Sequence, residues 1–410
     1  MTAASSTRTQ VAVVGGGPAG LMLSHLLHRA GIETVVIDHR TVHEIESTHR
    51  AGILEADSVR LLTETGVYAT GAERVLTEGD RHGGIYLRFG GESHHVDFER
   101  LVGASVWLYP QTEVFVDLHA ARTRDGGDLR YGISGTTVCE VEHTPRVTCT
   151  DPDGAVHEVR ADLVVGADGS RSICRDIVAR GESGHRRYGR EYPFAWFGFL
   201  CEAPKSAPEL IYNRSERGFA LVSQRTESIQ RMYFQVDPDT DPADWSEDRI
   251  WTEMQLRLAG RDGFELRTGP IIETSVLPFR SFVQTPMRHG NLVLAGDAAH
   301  TVPPTGAKGL NLALADVRVL AEVAENVLLK GEEEGEQALA GYTDRALARV
   351  WKAQHFSYWM TTMLHRAPPA AGGAYSDFDE RRQLGELATL VSSEAGSTYL
   401  AEGYTGWPTP

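Results

Sequence analysis

The sequence predicts a mixed α/β fold, α+β overall. It has a parallel sheet in its first domain, a sheet-rich insertion and a helical C-terminal part. Three observations carry this reading. Residues 9–40 read as strand, glycine turn, helix and strand. Residues 187–280 mix short apolar runs such as GFALVSQ and RMYFQV with turns. From Asn311 onward helical patterning dominates. A chain of 410 residues exceeds what one hydrophobic core usually serves, so two domains are expected.

In order, Val11 to Val14 is a short, β-branched apolar run. Leu21, Leu23, Leu26 and Leu27 recur with helical spacing, and Thr34 to Ile37 form the second strand. A βαβ opening implies parallel strands. GGIYLRFGGESHHVDFERL predicts a hairpin turning at its glycines. DLVVGADGSRSICRD returns to strand, turn and helix. A helix is expected near 246–259, and GNLVLAGDAAH re-enters the first domain. KGEEEGEQA (330–338) reads as a solvated turn and HRAPPAAGGAYSD (365–377) as a loop. The predicted domains are 9–80, 103–186 and 276–320 for the first, 81–102 and 187–275 for the second, and 321–410 for the helical region.

The net charge of −16 argues against nonspecific binding to nucleic acid or an anionic membrane. Cys139, Cys149, Cys174 and Cys201 form no CxxC and no metal-ligand spacing, so no metal site is expected. Scattered thiols, an N-terminus without an apolar core and no membrane-length apolar run point to a cytoplasmic protein.

Gly15-x-Gly17-x-x-Gly20 has the spacing of a dinucleotide turn. Its glycines allow a tight turn, close approach of a pyrophosphate and close packing of helix on strand. Asp38, at the end of the second strand, suits a ribose diol. This makes the first domain Rossmann-like. GADGSRS with Asp168 and LAGDAAH with Asp297 add two acid-bearing glycine turns far along the chain. An extended ligand touching all three, and the bare loop of PPTGAKGLN before a helix, fits FAD better than NAD. The loop's glycines and the helix start would admit a flat, electron-accepting ring.

GGGPAG, the DG of GADGSRS and the GD of LAGDAAHTVPPTGAKGLN resemble the group A FAD-dependent aromatic monooxygenases. RAGILE, YPQTEV, YPFAWFGFL, PELIYNRSERGFALVSQR and WKAQHFSYWMT narrow the resemblance to the 4-hydroxybenzoate 3-monooxygenase family, from about Thr9 to the SSEAG at 392–396. That resemblance implies non-covalent FAD, NADH or NADPH as electron donor, O2 as oxidant, an aryl-acid substrate and a homodimer. The expected reaction places OH ortho to the para substituent of a benzoate, 4-hydroxybenzoate to 3,4-dihydroxybenzoate first.

The resemblance also assigns residues. Arg225, Ser223 and Tyr233 match carboxylate contacts, and a fixed arginine both orients and binds a benzoate. Tyr212 and the Pro304 carbonyl match contacts to the 4-hydroxyl, with Thr305 beside them. His82 matches the solvent-end histidine of a proton relay. Arg231 matches an arginine that holds the charged reduced flavin. Arg50, Gln111, Asp297, Gly309, Leu310 and Asn311 match flavin contacts. In the nicotinamide region, Arg40 would attract a 2′-phosphate and Glu44 would repel it, so NADH is expected to be preferred. Arg171 and Arg280 are expected at the pyrophosphate.

One departure stands out at ELATLVSSEAG (386–396). The family's second relay tyrosine is expected just before this segment, where the chain carries Leu390 with Thr389 beside it. A rewired relay or a changed substrate would follow, such as 4-aminobenzoate or a 3-substituted 4-hydroxybenzoate. Among other functions, a flavin halogenase lacks its Trp-x-Trp-x-Ile-Pro signature here. A noncatalytic flavin-binding protein is disfavoured by the benzoate-pocket residues.

Overall fold

Val11–Val14 is buried at every residue, in a core shared with Leu21 and Leu23 of the following helix and with Val147 and Val159 of a separate four-stranded sheet. Val11–Val14 is the centre of the first domain. In the computed structural model it pairs in parallel with Thr34–Ile37 on one side and Leu163–Gly166 on the other. Leu292–Leu294 extends this sheet beyond Leu163–Gly166, again in parallel. Strands far apart in sequence thus put the GxGxxG, DG and GD turns along one end of one sheet. The structure describes residues 5–48, 52–69, 73–366 and 376–407.

The second sheet has eight strands and is almost wholly antiparallel. Two long strands, Arg186–Glu202 and Ile271–Thr285, form its spine. The hairpin Gly84–Phe89 and Glu92–Asp97 joins it through a parallel pairing with Ile211–Ser215. The helix Glu247–Leu258 covers one face, with Ile250, Met254 and Leu258 packed on Phe197, Phe199 and Phe234. The other face meets the C-terminal helices in a second apolar cluster.

The helices Gly309–Leu329 and Glu332–Leu364 follow one another antiparallel along the first domain, and the long one continues beneath the second sheet. The solvated turn expected over 330–338 is confined to Lys330–Gly331. Glu332, Glu333 and Glu334 occupy the first turn of a helix, where carboxylates complement the helix dipole. Of the loop expected at 365–377, residues 367–375 lie outside the described residues. Among the described residues no helix is long and apolar enough to cross a membrane.

Candidate active site

The glycine turn is shaped by close backbone approach. Gly15 has φ +113°, and a Cβ there would stand 2.2 Å from the Ala167 carbonyl oxygen. A Cβ on Gly20 would stand 1.9 Å from the Gly15 oxygen. Gly17 caps the helix Pro18–Arg29 with no side-chain hydrogen bond. Its first-turn amides are thus left to an anion. Asp38 is buried and accepts from the Gly16 amide at 2.8 Å and from Arg40 Nη2 at 3.0 Å.

The later turns are braced from within. Asp168 accepts from Ser172 Oγ at 2.5 Å and the Ile173 amide at 2.8 Å, tying down the next helix; burial raises its pKa. Asp297 follows Gly296, whose φ is +61°. Asp316 fixes that turn, accepting from the Gly296 amide at 2.8 Å and meeting His300 Nε2 at 2.7 Å. Arg175, absent from the expected residues, joins the two turns. It donates to the Ser170 carbonyl at 2.6 Å and the Asp297 carbonyl at 3.4 Å. Arg280 donates to the same Ser170 carbonyl at 3.2 Å, while Arg171 is exposed beside it.

Gly309 starts the helix Gly309–Leu329, again with no side-chain cap, and open space surrounds its Cα. Leu310 and Asn311 complete that first turn. The side chain of Asn311 is a strut: it accepts from the Glu55 amide and Ser58 Oγ and donates to the carbonyls of Ile53 and Ala307. With all four bonds made within the protein, only its backbone amide is left for a cofactor. Gln111 opens the helix Gln111–Arg124 beside Gly52. Arg50 lies outside the described residues. FAD fits these features: two uncapped helix starts, a glycine cradle that tolerates no Cβ, and a carboxylate at the second strand's end.

Strand period builds the other half. Leu221, Ser223 and Arg225 alternate onto one face. Register sets Tyr212 opposite Leu221, Leu221 opposite Tyr233, and Ser223 opposite Arg231. Gly198 pairs with Tyr233, and a Cβ there would stand 2.8 Å from the Tyr233 ring. Arg231 lies over that ring at 5.4 Å. Arg225 is half-buried and donates to Thr112 Oγ1 at 3.4 Å; burial, with Arg231 nearby, lowers its pKa. A guanidinium so placed gains from an anionic ligand.

At the far end of this row the Tyr212 hydroxyl meets that of Tyr404 at 2.8 Å, both fully buried. This corrects the expectation that the relay is one member short at Leu390. The partner tyrosine comes from the C-terminal helix Glu394–Thr405, while Leu390 sits in the apolar cluster on the preceding helix. Thr389 turns its hydroxyl to the Gly385 carbonyl. Burial raises the pKa of both tyrosines, so they stay protonated. Helical spacing was the available signal. Leu400, Ala401 and Tyr404 share a buried face, and a buried tyrosine requires a hydroxyl partner.

His82, expected at the solvent end of the relay, lies inside the protein. It is 0% exposed, with Nε2 3.2 Å from Asp80 Oδ2; Asp80 in turn accepts from Lys205 Nζ at 2.9 Å. Asp80 itself is partly exposed. Glu44, expected at the nicotinamide, completes a capping box: it accepts from the Thr41 amide at 2.7 Å, and this bond lowers its pKa.

Pro304, Thr305 and Gly306 form a single turn that ends at Ala307 with φ +53°. The Pro304 carbonyl accepts from the Ala307 amide at 2.9 Å and keeps a second lone pair. Lys308 is buried. It donates to Glu55 Oε1 at 2.7 Å and the Tyr404 carbonyl at 2.8 Å, and Arg349 closes the cluster on Glu55 at 2.6 Å. Burial lowers the Lys308 pKa despite Glu55. Lys308 of this loop and Tyr404 of the last helix are thus joined directly.

Comparison with known proteins agrees with this geometry. Residues 8–357 match the FAD binding domain family. The chain is 42% identical over 402 residues to the p-hydroxybenzoate hydroxylase of Acinetobacter baylyi, covering 98% of this chain and 96% of that one. It is 29% identical to a 3-amino-4-hydroxybenzoate 2-monooxygenase of Streptomyces platensis, covering 85% and 87%. Among solved structures, a p-nitrophenol 4-monooxygenase from Pseudomonas putida superposes with TM-score 0.80 at 20% identity, over 98% of this chain and 100% of that one, which bears on fold alone. The chain belongs to the 4-hydroxybenzoate hydroxylase family of FAD-dependent aromatic monooxygenases.

Proposed function

We propose that this enzyme hydroxylates 4-hydroxybenzoate ortho to its hydroxyl, consuming NAD(P)H and O2. The observation that carries the reading is the buried Tyr212–Tyr404 hydroxyl pair on the same sheet face as Arg225. FAD, when bound, supplies the electron transfer from the nicotinamide and the activation of dioxygen. The protein's part is to hold and ionise the ring. Arg225, with Ser223 and Tyr233, holds the carboxylate. Tyr212 hydrogen-bonds to the para oxygen and favours its ionised form. The proton released there moves from Tyr212 to the Tyr404 hydroxyl and onward by way of His82 and Asp80. Pro304 and Thr305 line the para position, and Arg231 places positive charge toward the flavin.

Tyr404 as partner of Tyr212 supports 4-hydroxybenzoate over 4-aminobenzoate or a 3-substituted 4-hydroxybenzoate. Support for NADH as preferred donor comes from Arg40, whose guanidinium is engaged by Asp38, and from the negative charge of Glu44 nearby. Four free thiols and the family resemblance support a cytoplasmic homodimer. The test is turnover of FAD-loaded protein with an aryl-acid panel, comparing kcat/KM for NADH and NADPH. The reading expects 3,4-dihydroxybenzoate and a preference for NADH. Turnover of 4-aminobenzoate alone, or a strong NADPH preference, would overturn the corresponding half.

A further inference from the structure

Three polar residues lie on the buried side of the long helix Glu332–Leu364 and its cap: Ser357, Thr361 and His365. All are buried and follow one another at i, i+4 and i+8. A helix stripe of this spacing points one way. It meets two walls of the aryl-acid pocket.

Thr361 meets the loop wall. Its hydroxyl lies 3.0 Å from that of Thr305 and 2.6 Å from the Ser357 carbonyl. A threonine has one hydroxyl proton. It is shared between the Ser357 carbonyl and the Thr305 hydroxyl, and accepting from Thr361 holds the Thr305 rotamer. One turn earlier, Ser357 packs on Gly306, where a Cβ would stand 2.6 Å from Ser357 Oγ.

His365 meets the aromatic wall. Trp196 Nε1 donates to His365 Nε2 at 2.6 Å, and His365 Nδ1 faces the Thr361 carbonyl at 2.9 Å. This pattern needs a neutral ring protonated at Nδ1. The imidazole is stacked on Phe194 at 4.5 Å and Phe219 at 4.4 Å. Trp196, in turn, packs on Tyr233 at 4.8 Å.

We propose that Thr361 and His365 are positioning residues for the aryl acid: one helix face sets the 304–306 turn through Thr305 and the Tyr233 wall through Trp196. The proposal rests on the aryl-acid reading above. A helix that holds both walls fixes their spacing, so losing either tether loosens the ring rather than the cofactor.

The test uses FAD-loaded wild type, Thr361→Val, Thr361→Ser, His365→Phe, Trp196→Phe and the His365→Phe/Trp196→Phe double variant. Three quantities are read: FAD content, 4-hydroxybenzoate affinity from the flavin absorbance change, and product formed per NADH oxidised. Thr361→Val is isosteric and loses the hydroxyl; it should weaken binding about 5-fold and at least halve coupling, with FAD content unchanged. Thr361→Ser should restore both. His365→Phe should behave like Thr361→Val. Adding Trp196→Phe to it should cost less than the two single effects combined, since the histidine acts through the tryptophan. Wild-type binding and coupling in Thr361→Val and His365→Phe would overturn the proposal. So would full additivity of His365→Phe with Trp196→Phe, or losses in Thr361→Ser equal to those in Thr361→Val. If wild type itself hydroxylates no aryl acid, the functional reading is what fails.

Discussion

Around Gly15 and Gly20 the chain presents backbone; around Tyr212 and Arg225 it presents side chains. The cofactor cradle needs the absence of Cβ atoms and the amides of two helix starts, all supplied within short stretches. The proposed ring pocket needs hydroxyls from Tyr212, Thr305, Thr361 and Tyr404, the Arg225 guanidinium and stacked aromatics. A cradle of backbone grips any ligand with the right phosphates. A pocket of long-range side-chain pairs can single out one ring, but each pair depends on two elements staying in place. The difference implies that cradle lesions abolish cofactor binding, while pocket lesions leave a flavoprotein with altered substrate handling.

The largest expected effect separates the halves outright. Gly20→Ala puts a methyl group 1.9 Å from the Gly15 oxygen, so the purified variant should carry no FAD. A yellow variant with normal flavin content would break the account of the cradle. Arg225→Ala is the opposite lesion. FAD should be retained while 4-hydroxybenzoate binds about 2–3 kcal/mol more weakly, roughly 30–150-fold. Equilibrium titration of the flavin spectrum measures this.

Next comes Tyr404→Phe, which removes one hydroxyl from the relay and leaves Tyr212 a bond short. Hydroxylation near neutral pH should slow about 100-fold and recover as pH rises, because the phenol then ionises without the protein's help. A pH-independent loss would mean that Tyr404 serves packing alone.

Glu55→Gln probes where the halves touch, since it strips the partner from buried Lys308. Unfolding in urea should show a loss of about 3 kcal/mol, with flavin content and aryl-acid affinity both lowered. The last effect is pH-linked and small near neutral pH. Burial pushes His365 down to about 3 from its ordinary 6.5, so the folded state holds a neutral ring that the unfolded chain would protonate. Stability is therefore full above pH 6.5 and falls as pH drops from there toward 3. Stability curves for His365→Phe should lack that part of the slope.

The same contrast explains what could be read beforehand. Gly15, Gly17, Gly20 and Asp38 are legible because one short segment contains the whole physical requirement. Ser223, Arg225, Arg231 and Tyr233 are legible in part, because strand period puts them on one face once the strands pair. Tyr404 was not found: helical spacing puts it on a buried face, but nothing local names a tyrosine 192 residues earlier as its partner. Arg175 was missed likewise: its task is to bond carbonyls of two turns brought together by the sheet. Glu44 also carries a local task not read beforehand, the capping box it completes with Thr41.

The most direct test of the central claim is stoichiometric. FAD-loaded enzyme is given 4-hydroxybenzoate, NADH and isotopically labelled O2, and the product is analysed by mass spectrometry. The account predicts 3,4-dihydroxybenzoate carrying one labelled oxygen, formed in step with NADH oxidation. NADH oxidation yielding only hydrogen peroxide and unchanged 4-hydroxybenzoate would contradict it.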